Sequence, residues 1–179
     1  MSLKEITSDL HAIAEQTEFA KLLLSGTISK DSYSNYLYQM ALVYRTIEAG
    51  CKVQGFLDKL PDIERAGKIY SDYVELVGTG EPVVYLNSTV AYNQYLVALL
   101  SDSDRQHLIK AHMYCRHMGD LFGGQMIKKK VPGSGRFYEF ENAKLLKEQI
   151  RAELTDDLGD EARVAFEWAI KIMQELCNE

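Results

Sequence analysis

The most constraining feature of this sequence is a stretch near residue 120 in which glycines interrupt an otherwise helical pattern. The segment from His112 to Lys130 reads HMYCRHMGDLFGGQMIKKK, with glycines at 119, 123 and 124. A glycine inside a helix costs about 1 kcal/mol relative to alanine, so three of them so close together indicate that the missing side chains serve a purpose. Gly119 and Gly123 are four residues apart and share a helix face. We expect this face to be bare backbone that a flat group can approach closely, with Asp120 beside it.

The hydrophobic pattern along the rest of the chain predicts an all-α fold. The chain has 179 residues, of which 46% are hydrophobic and only three are proline, so little interrupts long helices. Apolar residues recur at intervals of three and four in about seven segments, which predicts one domain over residues 1–179, built as a bundle of about seven helices. The predicted helices run from Ser2 to Gly26 with a separate last turn capped by Thr17, from Ser29 to Leu60 with a candidate break near Gly50, from Asp62 to Val77, from Ser88 or Thr89 to about Leu100, from Ser103 to the break at Pro132, from Asn142 to about Leu154, and from about Asp160 to Leu176. A turn cluster at 78–82, an extended connector at 83–85 and a loop or extended piece at 136–140 lie between them.

Several classes of function are not indicated by the sequence. The net charge of −6 disfavours nonspecific nucleic-acid binding, and the chain has neither a P-loop nor a GxGxxG motif after a strand. It also has no Glu-x-x-His pair of the kind that ferritin-like di-iron bundles use. His107, His112 and His117 are spaced by five residues, which sets neighbours about 140° apart on a helix, so we do not expect them to share one metal.

The sequence carries no sign of export or membrane insertion. No apolar run approaches the roughly 20 residues that cross a bilayer, and the N-terminus lacks the basic and apolar blocks of a signal peptide. Cys51, Cys115 and Cys177 are far apart and form no CxxC motif, which favours reduced thiols. We therefore expect a soluble, cytoplasmic protein.

Charge is distributed unevenly along the chain. The stretch from Lys128 to Arg151 carries a net charge of +4, whereas the remaining residues carry −10. A charged run of this kind is usually a solvated face, but it also suits an anionic ligand or an acidic protein partner.

His11 is the histidine with the most open interpretation. It lies on the first predicted helix beside Ile13 and Ala14, with Glu15 one turn later. One interpretation is a partly buried histidine bonded to a neighbour. The other is a neutral imidazole that serves as an axial heme ligand, with Glu15 contacting the ring or a water beside it. Composition and spacing alone do not choose between them.

Two separated segments resemble the heme oxygenase family. Ala111 to Gln125, which reads AHMYCRHMGDLFGGQ, resembles the signature of that family. Leu3 to Phe19, which reads LKEITSDLHAIAEQTEF, resembles its proximal helix position by position. The likeness extends more weakly to Lys147–Arg151 and Ala162–Phe166 and is weakest from about residue 50 to 105.

The resemblance implies a heme sandwiched between the first helix and a kinked, glycine-containing distal helix. His11 would be the iron ligand on the proximal side, and Gly119 and Gly123 would lie against the distal face. Asp120 would organise the distal waters, because a carboxylate that holds water can deliver protons without coordinating the iron. The alternative for Asp120 is a carboxylate tied to a backbone amide at the helix kink.

The resemblance also assigns supporting roles to residues outside these four. Tyr44 and Arg116 would support the distal network, although core packing explains Tyr44 equally well. Phe166 would pack near the heme, although by periodicity alone it is a core residue. The side chains that would hold the propionates, and so select the meso edge that is oxidised, are Lys4, Tyr114, Lys147 and Arg151.

The activity that the resemblance implies is oxidative opening of heme b, which would be both substrate and cofactor. Heme, three O₂ and seven electrons would give biliverdin IXα, CO and ferrous iron by attack at the α-meso carbon. The short chain is similar to the soluble ferredoxin-dependent enzymes of phototrophs and their phages, where biliverdin feeds bilin pigments. Ferredoxins are acidic and would dock on the stretch from Lys128 to Arg151, with another reductase as an open alternative. Nothing in the sequence requires more than a monomer.

Two other classes of function compete with this interpretation. A protein that binds or stores heme without degrading it would share the same ligand, although Asp120 beside the glycine face argues against it. A thiaminase-like helical hydrolase would need a nucleophilic cysteine, and no cysteine here is placed for that role. The chain departs from the family at Ser8, Phe122 and Ala169, where relatives often have a lysine, a small hydroxyl residue and a polar residue.

Overall fold

The computed structural model of the chain describes residues 2–78 and 84–178. Within these ranges the chain forms nine α-helices and four short 3₁₀ helices, which confirms the predicted all-α fold. The α-helices are α1 (Leu3–Ile6), α2 (Ser8–Gln16), α3 (Glu18–Ser25), α4 (Lys30–Val53), α5 (Ala66–Val77), α6 (Asn87–Ser101), α7 (Ile109–Lys128), α8 (Ala143–Glu153) and α9 (Gly159–Leu176). The 3₁₀ helices are Phe56–Lys59, Gln106–Leu108, Arg136–Tyr138 and Asp156–Leu158. Most of the predicted turn cluster and connector, at 79–83, lies outside the described residues.

The first predicted helix is three helices, and this accounts for the two extra elements. The capping box is confirmed: the Glu5 amide donates to the Ser2 hydroxyl, and the Ser2 amide donates to the Glu5 carboxylate at 2.8 Å. The helix is interrupted at Thr7, whose hydroxyl donates to the main-chain carbonyl of Leu3 in α1. It breaks again at Thr17, whose hydroxyl caps α3 by accepting from the Ala20 amide at 3.2 Å.

The central helix α4 is continuous, so the candidate break near Gly50 is wrong. Gly50 is buried, and a Cβ there would lie 2.5 Å from a methyl carbon of Leu100 on α6. The glycine therefore allows close packing of two helices and does not end one of them. The helix ends at Val53, and the last predicted turns form the 3₁₀ helix Phe56–Lys59 instead.

The start of α5 differs from the prediction because another residue caps it. Asp62 was expected to open this helix, but it lies in a turn with a φ of 62°. The helix begins at Ala66, where the Glu48 carboxylate of α4 accepts the amides of Arg65 and Ala66. The Asp62 carboxylate instead accepts the Glu141 amide at 3.1 Å, which joins this turn to the segment before α8.

The glycine-bearing helix α7 also begins later than predicted. The residues after Ser103 form a turn and the 3₁₀ helix Gln106–Leu108, and α7 starts at Ile109. From there it continues without interruption through all three glycines to Lys128. The segment after it, expected to be a loop or extended, contains the 3₁₀ helix Arg136–Tyr138.

Helix α9 holds α2 and α7 beside each other. Leu10 and Ala14 of α2 pack in one apolar cluster with Phe166 and Ile170 of α9. Tyr114 and Cys115 of α7 pack against the same cluster. The packing therefore brings the helix that carries His11 next to the helix that carries the glycines. None of the described helices is long and apolar enough to cross a membrane.

Candidate functional site

His11 presents an exposed imidazole and is not the partly buried histidine of the first interpretation. Its side chain is 56% exposed, and its Nδ1 lies 3.6 Å from Oε1 of Glu15, one helical turn later. Its ring meets the Phe166 ring edge-on, with centroids 5.9 Å apart. No described residue hydrogen bonds to its Nε2, so this nitrogen can bind an external ligand while Glu15 orients the ring.

The three glycines of α7 differ in how much space surrounds them. A Cβ at Gly119 would meet no atom within 4 Å, and one at Gly123 would meet only a methyl carbon of Ile127 at 3.9 Å. By contrast, a Cβ at Gly124 would lie 2.8 Å from the Tyr138 ring. Gly124 therefore permits tight packing, whereas Gly119 and Gly123 leave one face of the helix open.

Asp120 is a buried carboxylate beside that open face. Its side chain is 8% exposed, and the Tyr44 hydroxyl donates to its Oδ2 at 2.7 Å. Burial raises the pKa of Asp120 to about 6, while His117, the Tyr44 hydrogen bond and Arg116 oppose the shift. A carboxyl group with this pKa can both accept and release protons near neutral pH. The Tyr44 hydroxyl, and not a backbone amide, is the hydrogen-bond partner that the structure gives this carboxylate.

Arg116 is a buried cation whose hydrogen-bonding capacity is largely unused by the protein. Its Nε and Nη2 have no partner among the described residues, and its Nη1 lies 3.8 Å from the sulfur of Met40. Its guanidinium lies over the Tyr92 ring at 5.6 Å. Because a buried, unpaired guanidinium is costly, this arrangement suits a site that receives acceptors from outside the chain.

The predicted propionate cations fall in two places. Lys147 and Arg151 of α8 both lie over the ring of Phe122, at 4.2 and 5.3 Å from its centroid. Phe122 is 55% exposed and projects from the turn of α7 between the two open glycines. Lys4 is exposed on α1 and pairs with no described acid. The Ser8 hydroxyl donates to the main-chain carbonyl of Glu5 in α1 at 3.0 Å.

Tyr114 connects the two sides of the site. It is half-buried on α7, and burial raises the pKa of its hydroxyl, while the nearby Thr7 side chain between α1 and α2 opposes the shift. Its ring packs in the cluster that contains Phe166. The structure therefore brings Tyr114 and Phe166 to the same junction of α2, α7 and α9 as His11.

Comparisons with known proteins agree with this geometry. A family model described as heme oxygenase matches residues 1–175. This chain belongs to the heme oxygenase family. It is 28% identical to the heme oxygenase of Pyropia yezoensis over 97% of its own length and 84% of that protein. It is also 28% identical to heme oxygenase 1 of Synechocystis over 97% of its length and 82% of the relative.

Solved structures of heme oxygenases share the fold. Heme oxygenase-1 of Synechocystis in complex with heme matches with a TM-score of 0.83 and 26% identity, over 97% of this chain and 90% of that one. The heme oxygenase of Leptospira interrogans matches with a TM-score of 0.84 and 25% identity, over 98% of this chain and 100% of that one. The fold of the described residues is thus that of the family.

Two residues near the distal carboxylate of this heme oxygenase were not predicted as site residues: His117, which acts electrostatically on Asp120, and Glu48, which contacts His117. His117 was weighed only as a metal ligand, and Glu48 was not considered. The Nε2 of His117 lies 2.9 Å from Oε1 of Glu48, and both side chains are buried. The one signal in the sequence was the position of Glu48, an acid on the apolar face of α4 defined by Tyr44 and Ile47.

Part of the positive charge of the stretch from Lys128 to Arg151 is neutralised by ion pairs with acidic residues. Lys128 pairs with Glu139 at 2.9 Å, and Arg136 pairs with Asp72 and Glu75 of α5. The cations of the stretch without a described acidic partner are Lys129, Lys130, Lys144, Lys147 and Arg151.

Two alanine substitutions on α7 should have opposite effects on the stability of the protein without ligand. Gly119→Ala should stabilise it by up to about 1 kcal/mol, because the added methyl group meets nothing and the helix gains propensity. Gly124→Ala should destabilise it by about 1–3 kcal/mol, because Tyr138 is stacked on Phe137 and has little room to move. Urea unfolding of both variants measures the difference, and equal effects would contradict these assignments.

The raised pKa of Asp120 predicts a pH-dependent stability. Folding favours the protonated carboxyl, so its contribution to stability falls as pH rises from the ordinary pKa of 3.8 towards about 6. Asp120→Asn keeps an acceptor for Tyr44 and should stabilise the protein by about 3 kcal/mol near pH 8, with no gain near pH 4. Asp9→Asn is the control, for which the expected change in stability has the opposite sign. The hydrogen bond from Arg163 lowers the pKa of Asp9 to about 2, so losing that carboxylate should destabilise at neutral pH.

Proposed function

We propose that this member of the heme oxygenase family opens heme at the α-meso carbon, using O₂ and external electrons, to give biliverdin IXα, CO and Fe²⁺. The observation that carries the proposal is the placement of Asp120. A buried carboxyl group with a pKa near 6, held by Tyr44, adjoins the face of α7 that Gly119 and Gly123 leave open. A protein that only stores heme has no need for such a proton-handling group.

The side chains present fit heme. His11 offers a free imidazole nitrogen for the iron, and Gly119 and Gly123 leave space for a flat ring. The buried guanidinium of Arg116 has donors to spare for polar groups or water in that space. When bound, heme supplies both the redox-active iron and the ring that is opened.

On the distal side, the residues would hold and deliver protons. Asp120 would accept a proton from solvent and pass it on through water held by its carboxylate and by Arg116. The Tyr44 hydroxyl would keep the carboxylate oriented, because it already donates to Oδ2 at 2.7 Å. Gly119 and Gly123 would keep bulky side chains out of the space where O₂ reacts.

On the proximal side and at the edge, the residues would fix the orientation of the heme. His11 would bind the iron. The imidazole of His11 has Glu15 beside it and the Phe166 ring packed edge-on against it. The cations and the phenol proposed to hold the propionates are Lys4, Lys147, Arg151 and Tyr114. By holding the propionates, these side chains would select which meso edge is oxidised, and opening at the α position is the proposed outcome.

Reduction of the heme-loaded protein in air tests the proposal. Hemin is added to the purified protein, ascorbate or a ferredoxin system supplies electrons, and the Soret band is followed. We expect the Soret band to disappear and chromatography to show the IXα isomer of biliverdin. A stable Soret band under sustained reduction and O₂ would instead support the alternative, a heme-binding protein that does not degrade its ligand.

We further propose that a ferredoxin is the electron donor, as in enzymes whose biliverdin feeds bilin pigments. Support comes from the unpaired cations of the stretch Lys128 to Arg151 on a protein that is otherwise acidic. Lys144→Glu should slow ferredoxin-driven turnover most at low salt and leave ascorbate-driven turnover unchanged. Lys30→Glu, an exposed lysine outside the stretch, is the matched control. Equal effects of the two variants would contradict docking at this surface.

We also propose that residues 1–179 act as one domain and as a monomer. The family match over residues 1–175 supports a single domain. Every side chain assigned to the site comes from the same chain, which supports a monomer. Sedimentation velocity at the concentrations used for turnover tests the oligomeric state.

A further inference from the structure

Helix α7 carries two buried histidines in nearly matched surroundings, and only one of them is fully bonded. Both rings are 0% exposed. The Nε2 of His112 lies 2.9 Å from Glu161, and its Nδ1 lies 2.7 Å from the Tyr92 hydroxyl. The Nε2 of His117 lies 2.9 Å from Glu48, but its Nδ1 has no partner among the described residues. A buried ring nitrogen without a partner calls for a functional explanation.

The open nitrogen of His117 belongs to a ring beside the distal carboxylate. His117 precedes Asp120 by three residues, so the two share a face of α7. The His117 ring centroid is 4.9 Å from that of Tyr44, whose hydroxyl bonds to Asp120. His117 also has the largest electrostatic influence of any charged group on the pKa of Asp120, which it lowers.

The partner of His117 is a buried carboxylate that borders a groove on another side of α4. Glu48 is held by the amides of Arg65 and Ala66. It also lines a surface groove of about 530 Å³ between α4 and α5, together with Arg45 and Lys52. None of the residues assigned to the heme site lines this groove.

On the basis of the proposed function, we propose that His117 relays protons to Asp120, with Glu48 bonded to its other ring nitrogen and the α4–α5 groove as the route from solvent. In the step, the imidazolium of His117 gives its Nδ1 proton to the Asp120 carboxylate through water, because no described residue bonds to Nδ1 directly. The products are a neutral imidazole and a neutral carboxylic acid. A proton from solvent then restores the imidazolium, so no oxidant or reductant takes part. His117 would act through Asp120 and would not touch the substrate itself.

The other groups around this pair do not provide an equivalent donor. Arg116 and Arg65 keep their protons at all relevant pH values. Burial raises the pKa of the Tyr44 hydroxyl well above its ordinary value, so Tyr44 relays or holds a proton but does not release one. Burial likewise raises the pKa values of the other acids that face the pair, which are the phenols of Tyr33, Tyr36 and Tyr138 and the thiol of Cys115.

The first test measures the carboxyl group of Asp120 directly, by carbon NMR of the protein without heme over a pH series. His117→Gln keeps an N–H donor for Glu48 but cannot be charged, so the pKa of Asp120 should rise in this variant. His112→Gln, the matched control on the same helix, should leave the pKa of Asp120 unchanged. An unchanged Asp120 pKa in folded His117→Gln would overturn the proposal.

The second test uses the heme-loaded protein and separates this inference from the proposed function. His117→Gln should lower the rate of biliverdin formation by on the order of tenfold or more and change the pH profile of that rate, while heme affinity stays the same. Glu48→Gln removes the carboxylate that contacts Nε2 of His117 and should also lower the rate of biliverdin formation. If the unmodified protein forms no biliverdin, the proposed function fails. If it does and His117→Gln has the same rate and pH profile, only this inference fails.

Discussion

Asp120→Ala is expected to bind heme with nearly unchanged affinity and to lose most biliverdin formation. The substitution removes the only buried carboxylate that the structure places beside the open face of α7, among the residues described. Proton delivery by a positioned side chain typically contributes a factor of about 10² to 10⁴ in rate, so turnover should fall within that range. Absorbance titration with hemin measures affinity, and single-turnover chromatography of the products measures the rate.

Two companion variants show whether the loss arises from proton handling. Tyr44→Phe keeps the carboxylate and removes its hydrogen bond, so it should lower the rate less than Asp120→Ala does. Asp9→Asn removes an exposed carboxylate that pairs with Arg163 and should leave the rate unchanged. Normal turnover by Asp120→Ala would show that protons reach the distal side without this carboxylate.

His11→Ala is expected to remove the imidazole signature of the bound heme in electron paramagnetic resonance and resonance Raman spectra. Turnover should fall on the order of 100-fold, because the iron loses the ligand that sets its electronic state and position. The propionate-binding side chains remain, so residual heme binding is expected. Added imidazole should restore part of the spectrum and of the activity.

The matched control for His11 is another exposed histidine with a carboxylate neighbour. His107 is 51% exposed, and its Nε2 lies 3.8 Å from Oδ2 of Asp157. His107→Ala should keep both the spectrum and the turnover of the unmodified protein. An unaltered imidazole signature in His11→Ala would mean that a different residue binds the iron.

Local signals in the sequence predicted the parts of the fold that local interactions decide. The capping box at Ser2 and the cap at Thr17 involve only residues within three positions, and both form as predicted. Gly50 and Asp62 were misread because tertiary contacts decide them. Close packing against α6 keeps α4 helical at Gly50, and a carboxylate from α4 replaces Asp62 as the cap of α5.

The same division applies to the candidate site. The open face at Gly119 and Gly123 follows from their spacing, because both the cost of helical glycine and the four-residue period are local properties. The pairing of His117 with Glu48 joins residues 69 positions apart, so no local pattern indicates it. The burial that raises the pKa of Asp120 is likewise a property of the assembled bundle.

The contrast between Gly119 and Gly124 has a consequence for how this enzyme family member can diversify. At Gly124 the helix packs against Tyr138, whereas a Cβ at Gly119 would meet no described atom within 4 Å. Substitutions on the open side alter the shape offered to a ligand and leave the hydrophobic core alone. On this one helix, residues that face the ligand can therefore change, by selection or by design, without disturbing the residues that pack in the core. Reactivity and regiochemistry can then be adjusted without loss of folding.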